Sequence, residues 1–348
     1  MRGTMSDTIA SYYPYDVNHV LPIVFAVLVG ISLALHTWQN FRYHFWTVMF
    51  FIIWAGAVFT AGWIMRCISS YSPGNKKLYI AQTALILGGP PIYSAVEYNI
   101  LGRLMFRLPM HAPFHPNRVV VVFIYLGAAV ESLTAVGAVQ SASAGQDMTK
   151  LRSGLRFLSI SLVMQCVVEL VFMATVALMH YRCIKSKMLT SKVRTLIVML
   201  YGTSLLILIR GIFRSVESFS HLSVLSDSCG RDCVEILTHE WYIYVFEAAP
   251  VVLYTYWLNI VNPGRFLPRN GRVYLDFDGV ERLGPGWIDR RSQWQTFADP
   301  LDFGGVLSGN PAHNKFWERP DEWEIVGGGS RDATHSPATD ATKPETTS

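Results

Sequence analysis

The chain has 348 residues, of which 51% are hydrophobic and only 16% charged, with a formal net charge of +4 and a mean hydropathy of +0.28. A soluble domain carries roughly 25% charged residues, so the composition argues against a water-soluble globular protein. So small a positive balance gives no footing for nucleic-acid binding. The charges gather between long apolar runs and in the last quarter of the chain, as expected of a polypeptide threaded through a bilayer.

Residues 1–19 are read as a short outer segment, with Tyr12, Tyr13 and Tyr15 as interface anchors. Seven apolar runs follow: Val20–His36, Phe45–Met65, Leu78–Leu101, Val119–Gln140, Phe157–His180, Leu196–Arg214 and Trp241–Ile260. Each is close to the ~20 residues needed to cross a hydrocarbon core of about 30 Å. Lipid offers no partner for a free backbone N–H or C=O, so each run must be helical. The predicted fold is an all-α bundle of seven transmembrane helices over 20–260. No cleavable signal peptide is expected, because the first run lacks a small-residue cleavage site.

Basic residues orient the bundle. The loop between the fifth and sixth runs holds Arg182, Lys185, Lys187, Lys192 and Arg194, whereas the next holds only Arg231. The positive-inside rule then places the N-terminus outside and the C-terminus in the cytosol. The loop with Cys229 and Cys233 falls outside, where a disulfide is the preferred reading. Zinc would need two further ligands, and His221 and His239 are distant in sequence. Asn262-Pro263-Gly264 ends the last helix. The tail over 261–348 is read as largely irregular or disordered, with Trp287, Trp294, Trp317 and Trp323 packing locally or touching the membrane surface.

Ionisable residues inside the runs carry the functional signal, since a charge at the centre of a span costs at least about 2.5–3.5 kcal/mol. Arg210, Arg214 and Glu217 share one face of the sixth run by their spacing. Glu131, Glu169 and Glu247 lie within the fourth, fifth and seventh runs, Glu97 near the inner end of the third, and Gln82 and Gln165 add amides. Arg210 is expected to pair with Glu247 or Glu169. The arrangement suits either an ion pair that fixes helix register or a polar cavity for a headgroup or amine, with Glu131 and Glu169 as proton or amine partners. Gly88-Gly89-Pro90-Pro91 places two prolines mid-helix, where a kink is expected at Pro90 and Pro91.

Three stretches carry a resemblance to a known family. The first is Arg210-Gly-Ile-Phe-Arg214-Ser-Val-Glu217, with His239-Glu240-Trp-Tyr-Ile-Tyr244-Val-Phe-Glu247 and Asn262-Pro263-Gly264 after it. The second runs from Tyr79-x-x-Gln82 through Pro91, Ala95 and Tyr98 to Gly102-Arg103, and the third is Gln165. Together they resemble the fungal seven-span lipid-translocating exporter family, which includes the aminocholesterol-resistance protein and the sphingoid long-chain base exporter of yeasts. Two departures stand out. Glu247 replaces an Asp of the family, keeping the charge. The family's fourth-span Asp and Gln fall near Gly127 and Thr134, with Glu131 one turn from the lost acid.

The resemblance implies export or transbilayer movement of amphipathic molecules, or resistance to toxic ones, from the plasma membrane. Arg210, Arg214, Glu217, Glu240 and Glu247 are then the site, no cofactor or metal is called for, and the partners are membrane lipids or amphipathic small molecules. Other seven-span classes fit less well. A retinal pump needs a lysine within the last run, and none lies in any run. A zinc-using membrane hydrolase needs several span-embedded histidines and an aspartate. A receptor remains the alternative, although no acidic-Arg-aromatic triplet closes the third run. No phosphate-binding Gly-rich loop is present to power an ATP-driven pump.

Overall fold

The computed structural model describes residues 11–145, 147–226, 230–288, 291–309 and 313–326. Six long helices come first in the chain: α1 (Leu21–Tyr43), α2 (Trp46–Ser70), α3 (Lys76–Arg107), α4 (Pro116–Ser143), α5 (Met148–Lys185) and α6 (Ser191–Leu225). A short α7 (Arg231–Thr238) leads to α8 (Trp241–Ile243), a wide π turn over Tyr244–Ala248, and α9 (Ala249–Ile260).

Local chemistry sets the helix ends. The side chain of Asn75 accepts from the backbone N–H of Lys77 and Leu78, and that of Asp147 from Thr149 and Lys150. Thr190 does the same for Val193. Each fills an acceptor that the first helical turn lacks. Pro116 opens α4, where its missing N–H is not needed. The π turn has a visible cause. Pro250 has no N–H and its ring excludes the carbonyl four residues back, Phe246. The preceding turn widens, so that the Ala249 N–H bonds to Tyr244 O.

Among the described residues, five helices are long and apolar enough to cross a membrane: Leu21–Tyr43, Val48–Ser70, Pro116–Ser141, Met148–Lys185 and Ser191–Leu225. The two other expected spans fall short of that measure for physical reasons. α3 is interrupted by polar groups and by Gly88-Gly89-Pro90-Pro91, and much of it is buried by its neighbours. The stretch 241–260 is broken by the π turn, which leaves α9 with 12 residues, about 18 Å of helix.

Successive helices pack side by side from α1 to α6. α9 packs against both α6 and α1, and α3 also reaches across to α6. The faces are inverted relative to a soluble protein. Val27, Ile31, Trp38, Tyr125, Val139, Val167 and Leu170 are exposed, whereas Arg66, Glu97, Glu169, Arg210 and Glu247 are buried. So continuous an apolar exterior requires lipid around it, and the molecule is an integral membrane protein.

Most of the segment after Ile260 is irregular, but it contains more order than the sequence suggests. Strands β1 (Val273–Leu275), β2 (Glu281–Leu283) and β3 (Glu324–Ile325) form an antiparallel sheet in that order. Tyr274, Phe316 and Trp317 pack with Trp287 and Trp323, while Trp294 stays exposed. The sheet is tied to the end of α3 by Arg107, whose Nη2 donates to Glu281 at 2.6 Å. Residue 229 lies outside the described residues, as does the side chain of residue 233, and with them the expected Cys229–Cys233 bridge.

Candidate functional site

The face of α6 that carries Arg210, Arg214 and Glu217 turns toward the π turn, which presents Glu247. Arg210 grips Glu247 with two parallel hydrogen bonds, Nε to Oε2 at 2.9 Å and Nη2 to Oε1 at 3.0 Å. Both side chains are 0% exposed. Arg214 Nε donates to the same Glu247 Oε2 at 2.8 Å, and its Nη1 donates to Glu217 Oε2 at 2.6 Å. Two arginines and two glutamates thus form one chain of charge-assisted bonds with no net charge, the form in which buried ions are tolerated.

Arg210 also answers a defect in α3. Pro91 has no N–H for the carbonyl of Leu87, four residues earlier. Arg210 Nη2 donates to that carbonyl at 3.2 Å. The helix runs through Pro90 and Pro91 without a break, and part of the reason is a side chain from a different helix.

A second network lies nearer the N-terminal segment. Arg66 of α2 donates through Nη2 to Glu240 Oε1 at 2.6 Å and to the Tyr15 hydroxyl at 3.1 Å, and through Nη1 to Gln82 Oε1 at 3.3 Å. Glu240 also accepts from the Tyr244 hydroxyl at 2.8 Å and from the Asn18 backbone N–H at 2.7 Å. The Arg66 guanidinium lies over the rings of Tyr13 and Tyr244. Burial pushes the Tyr15 hydroxyl above the ordinary tyrosine range.

Between the two networks opens a cavity of about 430 Å³, within the size range of small-molecule sites. Part of its lining is ionic and polar: Arg66, Gln82, Arg214, Glu217, His221 and Tyr15. The rest of the lining is mostly apolar, with Ile80, Ala84, Leu87, Ala138, Leu155 and Leu162 from α3, α4 and α5.

The remaining sequence candidates do not line this cavity. Glu131 of α4 lies beside Gly88, where an added Cβ would come within 3.4 Å of its Oε1. Its Oε2 is buried without a hydrogen-bond partner among the described residues. Glu169 of α5 meets Glu97 of α3, and Ser204 donates to Glu97 Oε2 at 2.9 Å. Gln165 is half-buried one turn before Glu169 on α5. No group of three or more His, Cys, Asp or Glu among the described residues is arranged to hold a metal ion.

Arg66 is the main participant that the sequence reading leaves out. It follows the second apolar run and passes for a loop charge, and its partner Glu240 is 174 residues away. The usable signal is the count of charges: Glu240 next to an apolar run needs a cation from somewhere, and Arg66 is the nearest span-end arginine at that end of the bundle. Glu97 and Glu169 were each visible as acids within the runs, but their contact with each other was not.

The RTA1 like protein family matches residues 52–270, a stretch that holds the arginines and glutamates of both networks and all of the cavity lining except Pro14 and Tyr15. A "Lipid-translocating exporter-like protein RTA1" from Leptosphaeria maculans is 33% identical over 318 residues, 88% of this chain. The chain covers 61% of that relative's length. A protein of the same name from Ajellomyces capsulatus is 30% identical over 76% of this chain and 84% of its own. A "Probable lipid transporter atnI" from Emericella nidulans is 25% identical over 73% of this chain and 67% of its own. No solved structure matches the chain. A family match over more than half of the sequence, and relatives whose names describe transporters rather than enzymes, lead to one conclusion: the chain belongs to the RTA1-like family of membrane proteins.

Proposed function

We propose that this protein is a seven-span translocator that moves amphipathic, lipid-like molecules across or out of the plasma membrane, and so confers resistance to toxic ones. In this reading α3 and the 241–260 segment cross the bilayer with the five apolar helices, the N-terminus lies outside and the C-terminal tail in the cytosol. The observation that carries it is the amphipathic lining of the cavity. Ionic and apolar side chains line the same cavity of about 430 Å³, which matches a headgroup joined to a hydrocarbon. Soluble-ligand sites and ion pathways have no need of the apolar half. Arg214 and Glu217 present the headgroup surface, Arg210 and Glu247 brace it from behind, and Glu131 and Glu169 are the proton or amine partners further into the bundle. The names of the relatives support a lipid-like cargo.

The test is a deletion strain complemented with the wild type or with Glu247→Gln. Sensitivity to sphingoid bases and sterol analogues is scored together with efflux of labelled lipids. Glu247→Gln keeps the shape but removes the charge that two arginines share, so efflux and resistance are expected to fall to the level of the deletion while surface expression persists. Normal efflux in that variant would remove Glu247 from the mechanism. Unchanged efflux on deletion, with ligand-dependent signalling instead, would favour a receptor.

A further inference from the structure

The charge balance of the cavity narrows the class of cargo. Three arginines (Arg66, Arg210 and Arg214) face three glutamates (Glu217, Glu240 and Glu247) across the two networks, joined by bonds of 2.6–3.0 Å. Only part of this set reaches the cavity. Glu240 and Glu247 stand behind the wall, while Arg66, Arg214 and Glu217 line it. Of these, Arg214 and Glu217 lie side by side, 13% and 17% exposed, with their opposite charges 2.6 Å apart.

Resting on the translocator reading, we infer that the cavity takes an amphiphile with a zwitterionic headgroup, its anionic group against Arg214 and its cationic group against Glu217. An approaching cation alone competes with Arg214 for Glu217 and leaves Arg214 Nη1 without its acceptor. An anion alone competes with Glu217 and strands a carboxylate. Either mismatch is penalised most where water is scarce, because an unpaired ion in a low-dielectric site costs far more than a paired one is worth. A zwitterion lies antiparallel to the Arg214–Glu217 pair and disturbs neither charge. The apolar part of the lining, with Leu87, Leu155 and Leu162, takes the chain. Glu131, Glu97 and Glu169 do not line the cavity and so do not tilt this balance.

The experiment uses the full-length chain in lipid nanodiscs and four single-chain amphiphiles of equal chain length. These are a lysophosphatidylcholine, a long-chain amine, a fatty acid and a monoacylglycerol, each measured for binding and for movement across vesicle membranes. The lysophosphatidylcholine is expected to bind at least about ten-fold more tightly than the amine or the fatty acid, a gap of about 1.4 kcal/mol. Glu217→Gln leaves Arg214 with Glu247 as its acceptor, so the bundle is expected to fold. In that variant the preference is expected to move about ten-fold toward the fatty acid, and Glu217→Asp restores the wild-type ranking. Thermal unfolding of each variant in detergent separates a change of ranking from a loss of fold. Tighter or equal binding of the amine, the fatty acid or the monoacylglycerol would overturn the inference while leaving translocation standing. An unchanged ranking in a folded Glu217→Gln protein would overturn it too. Failure to bind or move any of the four would overturn both.

Discussion

A guanidinium with no exposed surface is tolerated only while acceptors surround it, and a buried carboxylate only while donors do. Arg210 and Glu247 meet that condition for each other through two parallel bonds, which leave only Arg210 Nη1 without a partner among the described residues. Glu97 and Glu169 do not: each keeps one buried oxygen without a partner among the described residues. Removing one member of each pair should therefore have opposite effects. Arg210→Ala strands part of Glu247 and the Leu87 carbonyl, and should destabilise the protein by about 3–5 kcal/mol. Glu169→Gln replaces an oxygen by an N–H donor beside Glu97, and should be neutral or stabilising by about 1 kcal/mol. Thermal unfolding of the two variants in the same detergent compares them directly. Equal losses would mean that the two pairs are held by the same kind of contact. The residue types at these positions were legible in the sequence, and so was the facing of Arg210, Arg214 and Glu217, because helical spacing decides it. The partners were less legible. Depth along a helix allowed either Glu247 or Glu169 for Arg210, and only the rotation of each helix about its own axis chose between them.

Helices are defined here as much by their neighbours as by their own residues. The apolar runs placed the spans, but α5 covers Met148–Lys185 where the run covered only 157–180. Hydropathy reports the lipid-facing length and stops where the chain meets polar surroundings, whereas the backbone ladder continues as long as each carbonyl finds its N–H. In α3 the ladder fails at Leu87, and Arg210 completes it from α6. That exchange makes a measurable link between the two helices. Pro91→Ala supplies the missing N–H and makes the Arg210 contact to Leu87 redundant. The loss caused by Arg210→Ala should then be smaller in a Pro91→Ala background, with a coupling of at least about 0.5 kcal/mol in a double-mutant cycle of unfolding stabilities. Strict additivity would show that the Leu87 carbonyl is indifferent to its donor. The π turn is the converse case. A proline at position 250 was plain in the sequence, but the widening of the turn before it depends on how α9 must sit against α6 and α1 to bring Glu247 inward.

At the scale of the whole molecule, what remains is which helices cross. Lipid covers the faces of α1, α2, α4, α5 and α6, and these are the helices that length and hydropathy single out. α3 has its lipid-like residues turned against α2, α4 and α6, so its own hydropathy understates the medium it sits in. A helix packed among three greasy ones needs little grease of its own, provided that its polar groups are bonded, as Gln82 and Glu97 are to Arg66 and Ser204. Its length gives the second argument: 32 residues rise about 48 Å, more than the hydrocarbon core of about 30 Å. In the proposed seven-span topology the α2–α3 turn and the start of α4 open on opposite sides of the membrane. Ser72 and Asn117 are both exposed and mark those two places. With the native cysteines replaced, Ser72→Cys should react with a membrane-impermeant maleimide added to intact cells, and Asn117→Cys only after the cells are permeabilised. Labelling of both from the same side would take α3 out of the bilayer, and with it the seven-span topology and a cavity wall that reaches the membrane interior.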